Sequence, residues 1–154
     1  MEITFLSYFL ASITAYLGLL VGIILIRMTP EEQRPGRKYF ILLKKVLFLA
    51  IIAFPLYHFR INIIISFGLL SFVVGLMLVN KLGLSKSYLV YFLFGIIFSL
   101  SAKFANLFVL ESVLIFLYGM PNASLMLNPR KKNYYEVLAK NLLFFIPVVL
   151  YLLF

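Results

Sequence analysis

Apolar residues run along this chain in stretches of about twenty, divided by short polar segments, which is the pattern of membrane-crossing helices rather than of a half-buried soluble fold. Residues 3–26 form the first run, about 36 Å long as a helix and enough to cross a hydrocarbon core of about 30 Å with some tilt. It lacks the basic n-region and small-residue cleavage site of a signal peptide, so it is expected to be kept as a span. Met28–Lys38 carries Pro30, Pro35 and Gly36 among charges and reads as an interfacial loop. A second helix is predicted over 38–57, with Lys44 and Lys45 near enough to its start to snorkel to the headgroups. A third run covers 62–79, a short turn with Gly83 covers 80–87, and the last run covers 134–154.

The stretch Tyr88–Gly119 is ambiguous. As one helix it would measure about 48 Å, far longer than the apolar thickness available. As two it gives spans over 88–102 and 104–119 that turn around Ser99–Asn106, although neither Gly nor Pro marks that turn. Charge favours the hairpin. With two helices, Arg130, Lys131 and Lys132 fall on the same side as Arg34, Arg37, Lys38, Lys81 and Lys86, while Arg60 and Lys103 fall opposite. Lys and Arg are retained on the cytoplasmic side, so one helix here would leave the second-largest basic cluster outside. The expected fold class is therefore an all-α polytopic bundle, a single integral membrane domain with short loops, six spans (five as the alternative) and its N-terminus outside.

Composition narrows the function. Of 154 residues 64% are hydrophobic and the formal charge is +9. The charge is better explained by positive-inside loops than by nucleic acid, because no polar platform of basic and aromatic residues exists to receive one. Cysteine is absent, which removes disulfide, iron–sulfur and thiolate chemistry. Aspartate is absent too, which removes an aspartyl dyad and Asp-rich magnesium sites, and there is neither an HExxH pattern nor a Gly-rich phosphate loop. His58, the lone histidine, sits at the predicted outer edge without the carboxylate or thiolate company that a metal needs. Neither an enzyme activity nor a cofactor is expected.

Two stretches echo each other: Arg37–Phe48 and Lys132–Leu143 align without gaps at Tyr39/Tyr134, Leu43/Leu138, Lys45/Lys140 and Leu47/Leu142, and each precedes a proline-bearing run (Pro55, Pro147). Repeats of this kind occur in transporters. A plain interfacial pattern of basic, aromatic and then leucine residues produces the same echo. Small residues also recur at helical spacing. Ser7, Ala11, Ala15, Gly18 and Gly22 make a packing face on the first helix, Gly68, Ser71 and Gly75 a shorter one on the third, and Gly95, Ser99 and Ala102 one on the fourth, where helix backbones can approach closely. Pro55 and Pro147 are expected to kink their helices.

Glu111 stands out as the one carboxylate deep inside an apolar run. An ionised group at the bilayer centre costs about 2.5–3.5 kcal/mol, so it should face the interior and find a partner. Lys140 enters from the same side, and a Glu111–Lys140 contact is predicted, with Asn141, Ser112 or Asn106 completing its hydrogen bonds. Arg34, Arg37, Lys38, Arg130, Lys131 and Lys132 are candidate contacts for anionic lipid headgroups. The leading functional expectation is a non-catalytic subunit or scaffold of a larger membrane assembly, in a prokaryotic cell membrane, with other membrane subunits or a second copy as partners. The alternative is a small permease or channel component with a polar site around Glu111, Lys140, Asn141 and Asn106.

Overall fold

The computed structural model describes residues 4–78, 87–127 and 134–153, and all its regular elements are helical. They are α1 (Phe5–Met28), a 3-10 turn (Pro30–Glu32), α2 (Gln33–His58), α3 (Ile63–Leu78), α4 (Ser87–Ser101), α5 (Ala105–Met126), α6 (Tyr134–Asn141), a second 3-10 turn (Leu142–Phe144) and α7 (Phe145–Leu153). Four rods are long and apolar enough to cross a membrane: Phe5–Met28, Pro35–His58, Ala105–Met126 and Tyr134–Leu153. Ile63–Gly75 and Ser87–Ser101 are apolar but shorter.

Local chemistry explains where the elements begin and end. Thr4 caps α1, its hydroxyl accepting from the Ser7 amide at 3.3 Å. The expected loop over 28–38 is much shorter than its composition suggests, because Pro35 lies in the first turn of α2, where a missing N–H costs nothing. The stretch 88–119 is broken, as the hairpin reading requires, between Ser101 and Ala105. The break uses two tight turns, Ala102 N to Ser99 O at 3.3 Å and Phe104 N to Ser101 O at 2.9 Å. Phe104 is extended there and its ring packs 4.6 Å from His58 and 5.6 Å from Phe59, so an aromatic clasp supplies what glycine or proline would otherwise signal. α5 runs on to Met126, seven residues past the expected end at 119, with Pro121 inside it. Pro55 lies within continuous α2. Pro147 has a visible effect: without its N–H, and with its ring against the carbonyl four residues back, the rod tightens into the 3-10 turn just before it.

The α2–α3 turn ends α2 in a Schellman arrangement. The Ile61 amide bonds Leu56 O at 3.2 Å and the Arg60 amide bonds Tyr57 O at 3.1 Å. Arg60, at φ 50°, occupies the left-handed position usually given to glycine.

α5 is the axis of the bundle. α1 runs parallel to it: Tyr8 stacks on Phe108 at 5.7 Å, and Gly18 and Gly22 meet the backbones of Phe116 and Met120. A Cβ at Gly18 would lie 1.9 Å from Phe116 O, and one at Gly119 would lie 2.5 Å from the Gly18 backbone, so the two helices touch main chain to main chain. α4 runs antiparallel to α5, with Phe98 4.8 Å from Phe108 and Tyr91 6.0 Å from Tyr118. α2 is also antiparallel, bringing His58 to Phe104 and Lys44 to Tyr118. The α6–α7 rod closes the bundle against α4, where Gly95 lets the Phe144 carbonyl approach to within 2.3 Å of where a Cβ would stand. Buried aromatic rings fill the space between these helices, Phe94–Tyr118 at 4.7 Å and Phe98–Phe144 at 5.7 Å among them.

The registers place two ends. Gln33 Nε2 donates to the carbonyls of Ser124 (2.7 Å) and Leu127 (2.9 Å), so the α1–α2 connection lies against the C-terminus of α5. Arg27, Arg37 and Lys38 belong to this end, and Arg60 and Lys103 to the other. Lys81, Lys86, Arg130, Lys131 and Lys132 lie outside the described residues, as do the turn around Gly83 and part of the Arg37–Phe48/Lys132–Leu143 echo. α3 stands apart: it touches α2, Ile63, Ile64 and Phe67 are exposed, and Gly68 and Gly75 have open space where a Cβ would point.

Candidate functional site

The site lies on one buried face of α5 that carries three polar side chains and one apolar one. Glu111, Ile115, Tyr118 and Asn122 follow at intervals of four, three and four residues, which places them on a single stripe, and all are fully buried. At the loop end the stripe joins a three-helix hydrogen-bond network. Asn122 Nδ2 on α5 donates to Ser87 Oγ on α4 at 2.7 Å, and Ser87 Oγ donates to Asn141 Oδ1 on α6 at 2.7 Å. Asn141 Nδ2 is held by Val137 O at 2.6 Å, and the two amide nitrogens lie 3.5 and 3.9 Å from Met126 Sδ. These bonds join three helices whose mutual packing is otherwise apolar.

Above that network the pairing stops. Asn122 Oδ1, the hydroxyls of Tyr91 and Tyr118 and both Glu111 oxygens are buried without a hydrogen-bond partner among the described residues. Tyr91, opposite Tyr118, lies beside Asn122 without making a bond of good geometry to it. A buried polar group left unpaired costs about 1–3 kcal/mol, and these four side chains on α5 and α4 carry that cost side by side. On the α2 side the ammonium of Lys44 sits 5.7 Å from the centre of the Tyr118 ring, a cation–π approach.

A second polar set ties the far half together. The Tyr8 hydroxyl lies 3.0 Å from Ser99 Oγ, which also approaches Gly95 O (2.8 Å) and Pro147 O (3.2 Å). Nearer the loop end, Tyr16 donates to Leu138 O at 2.7 Å. These bonds attach α1 to α4 and to the α6–α7 rod.

The expected constellation of Glu111, Lys140, Asn141 and Asn106 does not assemble. Glu111 is buried and Asn141 belongs to the Ser87–Asn122 network, but Lys140 and Asn106 are exposed. The Glu111–Lys140 contact is absent: Lys140 pairs with Glu136 one turn earlier on the outside of α6. The reason is helical phase. Asn141 faces the core, and its predecessor is turned about 100° away, toward the surface. Ser112 bonds Phe108 O at 2.7 Å rather than the carboxyl. Lys44 does not snorkel: α2 begins at Gln33, which puts Lys44 about three turns in, and its side chain is buried.

Of the small-residue face on α1, Ala15, Gly18 and Gly22 are buried, Ala11 is half-buried and Ser7 is exposed. Arg37 and Lys38 are exposed at the start of α2, Arg34 lies in its first turn, and Arg130, Lys131 and Lys132 are outside the described residues. Ser87, Tyr91, Tyr118, Asn122 and Lys44 were not legible as site residues. The signal available was the spacing of Glu111, Tyr118 and Asn122 on one helical face, which appears only if the helix is carried through Pro121.

No protein-family model, curated protein or solved structure matches this chain. No cluster of three or more metal-ligating side chains occurs among the described residues. What the fold defines is a class: an integral membrane protein built as a helical bundle around α5.

Proposed function

We propose that this chain is a non-catalytic, multi-pass membrane subunit or scaffold of a larger assembly, threaded six times through a prokaryotic cell membrane with its N-terminus outside. The observation that carries the reading is the contrast between a closely packed core and an α3 that packs on α2 with its glycine face open. Where α1 meets α5 there is backbone-to-backbone contact, and aromatic rings fill the interior, whereas α3 leaves both its glycines open. An apolar helix with an open glycine face is suited to receive another transmembrane helix. The parallel course of α1 and α5 and the placement of Arg27, Arg37 and Lys38 opposite Arg60 and Lys103 support the six-span threading and its positive-inside sense. The exposed bases at the loop end suit contact with anionic headgroups.

Purification in mild detergent tests the reading. The expected outcome is a co-purifying membrane partner that is lost in Gly68→Ile/Gly75→Ile, with the chain itself still folded. A lone oligomer showing solute flux that depends on Glu111 would instead establish the second reading, a small permease, which the buried and unpartnered Glu111 favours.

A further inference from the structure

We propose that α3 is the seat of a two-fold pair, a second copy of this chain packing on it through Gly68, Ser71, Phe72 and Gly75. The inference rests on the subunit reading for the open face of α3 and names what covers it. Helical phase turns that face away from the rest of the chain. Ser66, Leu70 and Val73 are half-buried and Val73 packs on the core, so this side of α3 meets α2. Gly68, Ser71 and Gly75 lie about half a helical turn around from it, where a Cβ at either glycine has nothing within 4 Å.

Shape, charge and hydrogen bonding each point to a copy of the same face. The face carries both a knob and its hole: Phe72 stands 66% exposed, one turn after Gly68 and one turn before Gly75. Around a two-fold axis along the membrane normal, the Phe72 ring of each copy fills the hollow between the other's two glycines. Such a contact needs one patch that complements itself, and two copies threaded alike run parallel. A two-fold pair also sets equivalent side chains near each other, so like charges repel. None of the residues from Ile61 to Leu78 is charged, whereas a pair through the start of α2 would bring the exposed Arg37 and Lys38 against their own copies. Every other Ser and Thr hydroxyl among the described residues has a hydrogen-bond partner, in most cases a carbonyl of its own helix. Ser71 has none, and it lies eight residues past Ile63, about 12 Å into the apolar layer, where lipid offers no partner. In the pair its hydroxyl donates to the other copy's backbone beside Gly68, where no side chain covers the carbonyl. The other glycines within the apolar helices are already filled, Gly18, Gly22 and Gly119 in the α1–α5 seam and Gly95 by the Phe144 carbonyl. Among the described residues, the small face left to meet α3 is that of another α3.

The test is sedimentation equilibrium of the purified full-length chain in mild detergent, joined to cysteine cross-linking in the membrane. The chain has no cysteine, so each introduced thiol reports alone. The expected result is a dimer that falls to monomer in Gly68→Ile/Gly75→Ile, with helical circular dichroism unchanged because both positions are open. The dimer should also weaken in Phe72→Ala and, by less, in Ser71→Ala. On oxidation Gly68→Cys and Gly75→Cys should each cross-link to a dimer, and Leu69→Cys, on the flank of the helix, should not. A monomeric wild type, or a dimer unmoved by the double isoleucine variant, would overturn the proposal. So would cross-linking through Leu69→Cys in place of the glycine positions. The subunit reading fails separately. An α3-dependent dimer with no other protein bound sustains the pair and leaves the larger assembly without support, whereas a monomer that holds a different protein on α3 does the reverse.

Discussion

The α1–α5 seam and α3 use the same sequence device to opposite ends. Gly18 and Gly22 on α1, like Gly68 and Gly75 on α3, interrupt an apolar helix at helical spacing. In the seam the device is consumed: a Cβ at Gly22 would meet Met120 O at 2.6 Å and the Ala123 Cβ at 2.9 Å. On α3 it is idle, with nothing within 4 Å of either position. The difference lies in the facing helix. α5 offers Gly119 and Ala123, four residues apart, opposite the α1 glycines, and two small faces can interlock. A small-residue stripe therefore permits close approach, but the partner's face decides whether it happens, since lipid gives helices no hydrophobic reason to associate.

The largest effect follows from breaking the seam. In Gly18→Leu the new side chain runs straight into the Phe116 backbone, and neither helix can yield without parting from the other. A loss of about 3 kcal/mol or more is expected, with failure to recover a monodisperse bundle in detergent. Thermal unfolding followed by helical circular dichroism would measure it, and a wild-type midpoint would refute the register described above. Next in size is the polar tie at the end of the seam helix. Asn141→Leu removes the acceptor of Ser87 and strands a buried hydroxyl, for an expected loss of about 1–3 kcal/mol by the same measurement. If the α6 contact were incidental, that midpoint would stay where it was.

How much of this was legible in the sequence differs between the two regions. The helical hairpin at Lys103 could be inferred because Arg130–Lys132 needed a side of the membrane, and charge placement is a long-range constraint written locally. The 3-10 tightening before Pro147 could be anticipated from a missing N–H, whereas α2 runs on through Pro55 as an α-helix with no such turn. α5 runs past the span expected over 104–119 because a membrane helix tolerates Gly119 and Pro121 when neighbours resupply its hydrogen bonds, and Asn122 lies in that added stretch. Depth along a helix axis suggests a Glu111–Lys140 pair but carries no information about phase around that axis, and phase is what sends Lys140 outward.

The attachment of α3 can be sharpened rather than broken. Arg60 holds a left-handed conformation, which costs a residue with a side chain about 1 kcal/mol relative to glycine. Arg60→Gly should raise stability by about 0.5–1 kcal/mol, the gain being trimmed by the greater freedom of glycine in the unfolded chain. A stabilised, folded Arg60→Gly would show that the turn leading to α3 is defined by its Leu56 and Tyr57 hydrogen bonds and not by the arginine side chain. A loss of stability would mean that the guanidinium holds the junction.

The smallest effect separates the inside of the bundle from its surface one side chain at a time. Lys140 and Glu136 form an exposed pair one turn apart, and Lys140→Ala should cost only about 0.3–0.5 kcal/mol. The informative quantity is its coupling to Glu111. Two groups with no shared partner should give additive changes, so in a double-mutant cycle of Glu111→Gln with Lys140→Ala the interaction energy should stay within about 0.5 kcal/mol. A buried ion pair would instead appear as strong coupling, because removing one charge would leave the other stranded in a low-dielectric interior. Additivity would show that Glu111 and the surface cation Lys140 are not partners, as the outward phase of Lys140 requires.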